Sequence, residues 1–228
     1  MMSSVGLSGA ALGVSHERMV EYLRDIHARP SGTGAILNLF RGSKVRGAAD
    51  LNILTDVVAE PERRLALARH AFDEVRHSYV LLRRMEELHF RAFRLPPSID
   101  RVEGLLERCR ARDVKDVYAD RGSVNEAELM ELAAAVFIPE KDGVTKLRAN
   151  YEALAHDPRT QALVGAMLRD DERHVGYLAA WLEHFERRFS ARAVKATLDR
   201  LRAVFDDLNF VYYGSLDEYF ARAATAGT

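Results

Sequence analysis

The chain has 228 residues, and its 33 Lys+Arg against 34 Asp+Glu leave a formal charge of −1. That balance argues against bulk electrostatic attachment to nucleic acid or to a membrane surface. At 48% hydrophobic and 29% charged residues the chain has the apolar content for a sizeable core and too much of it for a disordered protein. Cys109 is the single cysteine, which excludes an intrachain disulfide and any site built from several thiolates. No apolar run approaches the roughly 18 residues of a membrane span. The N-terminal MMSSVGLSGAALGVS lacks the cationic start of a secretory leader, so residues 1–14 read as a flexible tail and the cytoplasm as the default location. Arg outnumbers Lys 28 to 5, the usage of a GC-rich bacterial genome.

Helical periodicity runs through residues 15–228, and no stretch alternates as a strand would. A short helix is expected after Ser15. A longer one follows over about 34–58. Pro61 suits a first helical turn, and the apolar pattern after it continues to about Phe93, where Leu95-Pro96-Pro97 stops it. Short helices are expected over 99–119. Ser123 with Glu126 has capping-box spacing and predicts a helix to about Leu154, kinked or locally broken at Pro139. Asp157-Pro158 predicts the start of another, running to about Phe185, with one or two more over 190–225. The expected architecture is all-α: one domain in which hairpins 34–93 and 123–187 form an antiparallel four-helix bundle with extra helices at both ends.

The two hairpins resemble each other at a gapless shift of 97 residues. Pro61 falls on Pro158, Asp73 on Asp170, Arg76 on Arg173 and His77 on His174. In each hairpin a carboxylate precedes a histidine by three residues, Glu74/His77 and Asp171/His174. Positions i and i+3 share a helix face, so each pair can grip one ion. Each pair sits in an apolar stripe, Leu67, Ala71 and Leu81 in one hairpin, Val164, Leu168 and Leu178 in the other. Polar groups in such a stripe are costly unless paired or bound to metal.

These pairs resemble the ferritin-like di-iron or di-manganese carboxylate superfamily, over about residues 34–187. The resemblance implies Glu74, His77, Asp171 and His174 as metal ligands, and one further Glu from the other helix of each hairpin, about 30 residues upstream. Glu140 lies 31 residues before Asp171 and fits; the same offset from Glu74 reaches Ser43, followed by Lys44. The ligand set is therefore one carboxylate short. A one-residue shift of the first helix would turn Lys44 inward, which leaves it three roles: an ion pair with Glu74 or Asp171, a carbamate ligand, or exposure to solvent. Asp73 and Asp170 take the place of residues that hold the opposite hairpin's ligand histidine by its second ring nitrogen.

The activity implied by the resemblance is oxidation of a small organic substrate by dioxygen at two iron ions, with a single ion or manganese as variants and with an unidentified electron donor. The rival is a non-catalytic ferritin-like protein whose degenerate site serves structure or partner binding. The aromatic segment 210–220 is expected to pack on the bundle or on a second subunit, which would make a homodimer. His70 lies one turn before Glu74, but its repeat counterpart is Met167 and it is left outside the ligand set. His16, His27, His89, His156 and His184 lack the repeated spacing, Cys109 reads as an inert lone cysteine despite its basic neighbours, and Tyr177 reads as core packing.

Overall fold

The computed structural model describes residues 15–99 and 101–226; the segment 1–14, read above as a tail, lies outside them. The chain is all-α, with no strand among the described residues. Helix α1 (His16–His27) is capped by the Ser15 hydroxyl, which accepts from the Arg18 amide at 3.4 Å. Then come α2 (Gly32–Val57), α3 (Pro61–Glu87), α4 (Arg101–Leu106), α5 (Val114–Ala119), α6 (Glu126–Ala153), α7 (Pro158–Arg188), α8 (Ala191–Gly214) and α9 (Leu216–Ala226). No helix among these residues is long and apolar enough to cross a membrane.

The most extensive packing is within two hairpins, α2 with α3 and α6 with α7, and α3 lies against α7 to join them. Helix α1 covers α6, α8 packs on α6 and α7, and α9 returns to α2. The buried apolar side chains fall into two clusters. One gathers α1, the start of α2, Leu81 and Met85 of α3, the end of α6 and the C-terminal aromatics Tyr212, Tyr213 and Tyr219. The other gathers the ends of α2, the starts of α3 and α6, and the last turns of α7 with α8. Neither includes residues 72–77 or 171–174, the stretch that carries the repeated motif. The charged residues there form a polar layer between two apolar plugs.

Two boundaries differ from the sequence reading. Helix α3 stops at Glu87 rather than Phe93. His89 takes a left-handed φ of 54° and its amide donates to Glu86 O, while the Phe90 amide donates to Met85 O at 2.9 Å. This closure ends the helix and buries Phe90 beside Met85. Helix α6 is capped by Asn125, not Ser123: Asn125 Oδ1 accepts from the amides of Ala127 and Glu128, and Glu128 Oε2 accepts from the Asn125 amide. An asparagine satisfies the same orphan amides two residues later. Pro139 lies inside α6, where proline leaves the Ala135 carbonyl without its usual i+4 donor, the local loss of hydrogen bonding that the sequence predicts.

The turn after α3 imposes a demand on α2. Gly34 is buried, and a Cβ placed there would lie 2.3 Å from the Phe90 ring. Gly34→Ala should therefore destabilise the protein by about 1–3 kcal/mol, as overpacking does, despite the better helix propensity of alanine. Urea denaturation measures this. An unchanged midpoint would mean that Phe90 does not seat against α2.

Candidate metal centre

Four helices deliver the polar layer. From α3 come His70, Glu74 and His77, spaced i, i+4 and i+7 and so on one face. Helix α7 supplies Asp171 and His174, α6 supplies Glu140, and α2 supplies Lys44. All but Glu140 are buried, and the Glu140 side chain is 14% exposed. The structure thus brings together Glu74, His77, Glu140, Asp171 and His174, and adds two residues to them.

The first addition is Lys44, and it corrects the register of the repeat. The turn between α2 and α3 has three residues, 58–60, whereas that between α6 and α7 has four, 154–157. The second helices of the hairpins are therefore related by 97 residues and the first helices by 96. Glu140 corresponds to Lys44, not Ser43, and Gly143 to Gly47. Gly47 makes room for a carboxylate, since a Cβ there would lie 3.0 Å from Glu74 Oε2; at Gly143 a Cβ would meet Asp171 Oδ2 at an ordinary contact distance of 3.8 Å. An ammonium stands where the other hairpin has a carboxylate. Lys44 Nζ donates to Glu74 Oε1 at 2.7 Å and to Asp171 Oδ1 and Oδ2 at 2.9 and 2.8 Å. Ser43 lines cavities beside the site, and Asp50 pairs with Arg46.

The second addition is His70. Its Nδ1 lies 2.9 Å from the Tyr177 hydroxyl, and its ring stacks on His174 with centroids 3.6 Å apart. The repeat hid it, since Met167 occupies the equivalent place. Its spacing from Glu74 and His77 was the signal that would have found it.

Every histidine of the layer is held by one nitrogen and presents the other. His77 Nε2 donates to Asp170 Oδ2 at 3.0 Å, and His174 Nε2 donates to Asp73 Oδ2 at 3.3 Å. Each of these carboxylates comes from the opposite hairpin, where the sequence reading placed it. Arg76 donates to both Asp73 and Asp170, and Arg173 pairs with both as well. Because a carboxylate only accepts, the proton that His77 and His174 donate sits on Nε2, and their Nδ1 atoms face inward. His77 Nδ1, His174 Nδ1, His70 Nε2 and Glu140 Oε2 are buried and have no hydrogen-bond partner.

Those unpartnered atoms fit a metal ion. His70, Glu74, Glu140 and His174 each offer one ligand atom, all within 4.8 Å of one another, and Glu74, His77 and Asp171 form a second such group. His70 Nε2 lies 3.5 Å from Glu140 Oε1, and His174 Nδ1 lies 3.6 Å from Glu140 Oε2. Two ligands each about 2.1 Å from one ion stand roughly 3.0–3.4 Å apart, so small movements would close the first group on an ion. The second group is the one Lys44 occupies.

Charge explains the pairing. The three carboxylates and one ammonium of the layer sum to −2, while Asp73 and Asp170 are balanced by Arg76 and Arg173. Burial disfavours the Lys44 cation, yet Asp171, Glu74 and Glu140 outweigh burial and hold it charged, well above the usual lysine range. Glu140 is held well below the usual carboxylate range: burial opposes this, but Lys44 and the two histidines prevail. Asp171 goes the other way, to about 7, because burial and the neighbouring Glu140 and Glu74 exceed the help from Lys44. For His174 burial favours the neutral ring, and Glu140 and Asp171 overcome it to raise the pKa. The cluster lacks positive charge, and a divalent ion would supply it. Cys109, read as inert despite its basic neighbours, is pushed up to about 12 by burial and by Glu131.

A cavity of about 130 Å³ borders the layer, lined on one side by Lys44, Glu74, Glu140 and Asp171 and on the other by apolar groups such as Leu51, Leu54 and Leu132. Comparisons with protein-family models, with curated proteins and with solved structures find no match to this chain.

Lys44→Met keeps length and removes the charge. In divalent-free buffer it should destabilise the protein by about 3–5 kcal/mol, the effect of stranding buried charge, and saturating divalent metal should recover most of the loss. Equal unfolding midpoints for variant and parent under chelation would show that Lys44 is not the counter-charge.

Proposed function

We propose that the protein is a ferritin-like non-haem metalloenzyme that holds one iron ion, with manganese as the alternative, on His70, Glu74, Glu140 and His174, and oxidises a small organic substrate with dioxygen. The observation that carries this reading is the convergence of buried, unpartnered imidazole nitrogens on a carboxylate cluster, each imidazole anchored from behind. Imidazole and carboxylate ligands suit iron and manganese. Such an ion, when bound, supplies one-electron chemistry toward dioxygen.

The protein's own groups have separate tasks. Asp73 and Tyr177 fix the ring orientations of His174 and His70. Lys44 holds Glu74 and Asp171 and neutralises the corner where a second ion would sit, which narrows the two-ion expectation to one ion. The apolar cavity wall keeps bulk water from the cluster and shapes the space for substrate. An external donor provides the reducing equivalents.

A second reading has its own support. The three hydrogen bonds of Lys44 already satisfy two carboxylates, and a salt-bridged core of this kind would serve a non-catalytic protein. Metal analysis of protein from iron-supplemented cells separates the two. The metalloenzyme reading expects about one ion per chain, a loss of metal in His70→Ala and His174→Ala, and a second ion in Lys44→Ala. It also expects oxygen consumption when a reductant is supplied. Metal-free protein that gains no iron on reconstitution favours the salt-bridged reading.

A further inference from the structure

The polar layer is not the only buried charge beside the cavity. Arg101 of α4 and Lys146 of α6 face each other across a single carboxylate, Asp142. Its Oδ2 accepts from Arg101 Nη1 at 3.0 Å and lies 2.6 Å from Lys146 Nζ. All three side chains are about 15% exposed. The Arg101 guanidinium lies 4.2 Å over the Tyr212 ring and 5.3 Å over Phe205, and donates also to the Asn209 amide oxygen. Lys146 Nζ lies 5.0 and 5.2 Å over Tyr212 and Tyr213.

Two cations thus share one oxygen, and the triad carries an excess charge of +1 in an aromatic surrounding. Both cations line two cavities at once. One is the 130 Å³ cavity beside the polar layer. The other, of about 70 Å³, is lined by α1, α2 and the C-terminal aromatics and shares Phe40 and Ser43 with the first. The triad therefore stands where a molecule lying next to Glu140 and Asp171 would place its far end.

We propose that Arg101 and Lys146 form a subsite for the carboxylate of a small organic acid whose apolar body fills the cavity beside the metal ligands. This assignment rests on the oxidative reading above and names the substrate class for it. A buried positive excess is costly, and an entering monoanion neutralises it while gaining charge-assisted hydrogen bonds. Lys146 bears the mark of that excess: burial and then the Arg101 charge hold its pKa down to about 8, although Asp142 pulls the other way.

Size and reach narrow the class. Glu140, Gly143 and Lys146 lie on one face of α6 and line the same cavity. Six residues of helix separate the metal-ligating carboxylate from the ammonium, a rise of about 9 Å. A dry cavity of about 150 Å³ accepts benzene, so 130 Å³ holds one ring or a short chain. The acid is an aryl or short-chain carboxylate whose oxidisable carbon lies about a ring's length from its carboxyl group.

Calorimetric titration of the full chain in chelating buffer, with benzoate, phenylacetate and 3-phenylpropanoate and with their primary amides, tests this without metal or turnover. At least one acid should bind, and its amide, the same size but neutral, should bind about tenfold or more weakly, the worth of a charge-assisted hydrogen bond. Lys146→Met should weaken the acid by a similar factor and leave the amide unchanged, and Lys146→Arg should restore the preference. An amide that binds as tightly as its acid overturns the subsite, as does failure of every acid to bind the unaltered protein. Undiminished acid binding by a folded Lys146→Met variant overturns it too, and leaves the triad a structural tie between α4 and α6. The comparison of acid with amide on the unaltered chain stands even if a variant fails to fold. Metal content, measured separately, shows whether the oxidative reading fails independently.

Discussion

Buried charge must be balanced, and that constraint organises the centre of this protein. Three carboxylates occupy a layer between two apolar clusters. In such surroundings each uncompensated charge costs several kcal/mol. The bundle answers with Lys44, which bonds two of the carboxylates, and with imidazoles whose lone pairs point inward and can share a cation. One ammonium and one divalent ion bring the three carboxylates to neutrality, whereas two divalent ions would overshoot. The outer aspartates are balanced by two arginines and keep the histidines oriented without adding net charge.

The same constraint explains the broken symmetry between hairpins. Asp73, Glu74, Arg76 and His77 mirror Asp170, Asp171, Arg173 and His174, and each hairpin holds the other's histidine. Where the second hairpin has Glu140, the first has Lys44. His70 then strengthens the half of the centre that keeps its carboxylates, and Met167 fills its place in the other half. The substitutions go together: one half gains an imidazole, and the other has a fixed cation in place of a carboxylate.

Much of this could be read from the residue order because it depends on local spacing. The long helices, the inward stripes and the carboxylate–histidine pairs follow from the 3.6-residue period. The crossing of Asp73 and Asp170 to the opposite histidines followed from the resemblance. Which of Ser43 and Lys44 faces inward stayed open, because it depended on one residue of turn length. A three-residue turn against a four-residue turn moves α2 by one position relative to the repeat, and that rotates Lys44 rather than Ser43 toward Glu74. His70 was hidden for a related reason, since a repeat shows only what both copies keep. The end of α3 and the cap of α6 were misplaced because several residues nearby could perform the same task. Nor did any pattern bring Arg101 of a six-residue helix onto Lys146, a contact that exists only once α4 docks against α6.

The most direct measurement is anomalous diffraction at the iron edge from crystals of iron-loaded protein. The account predicts one anomalous peak, bound by His70, Glu74, Glu140 and His174, with Lys44 Nζ still in hydrogen-bond contact with Asp171. Two peaks of similar height, or a single peak on Glu74, His77 and Asp171 with Lys44 turned away, would contradict it.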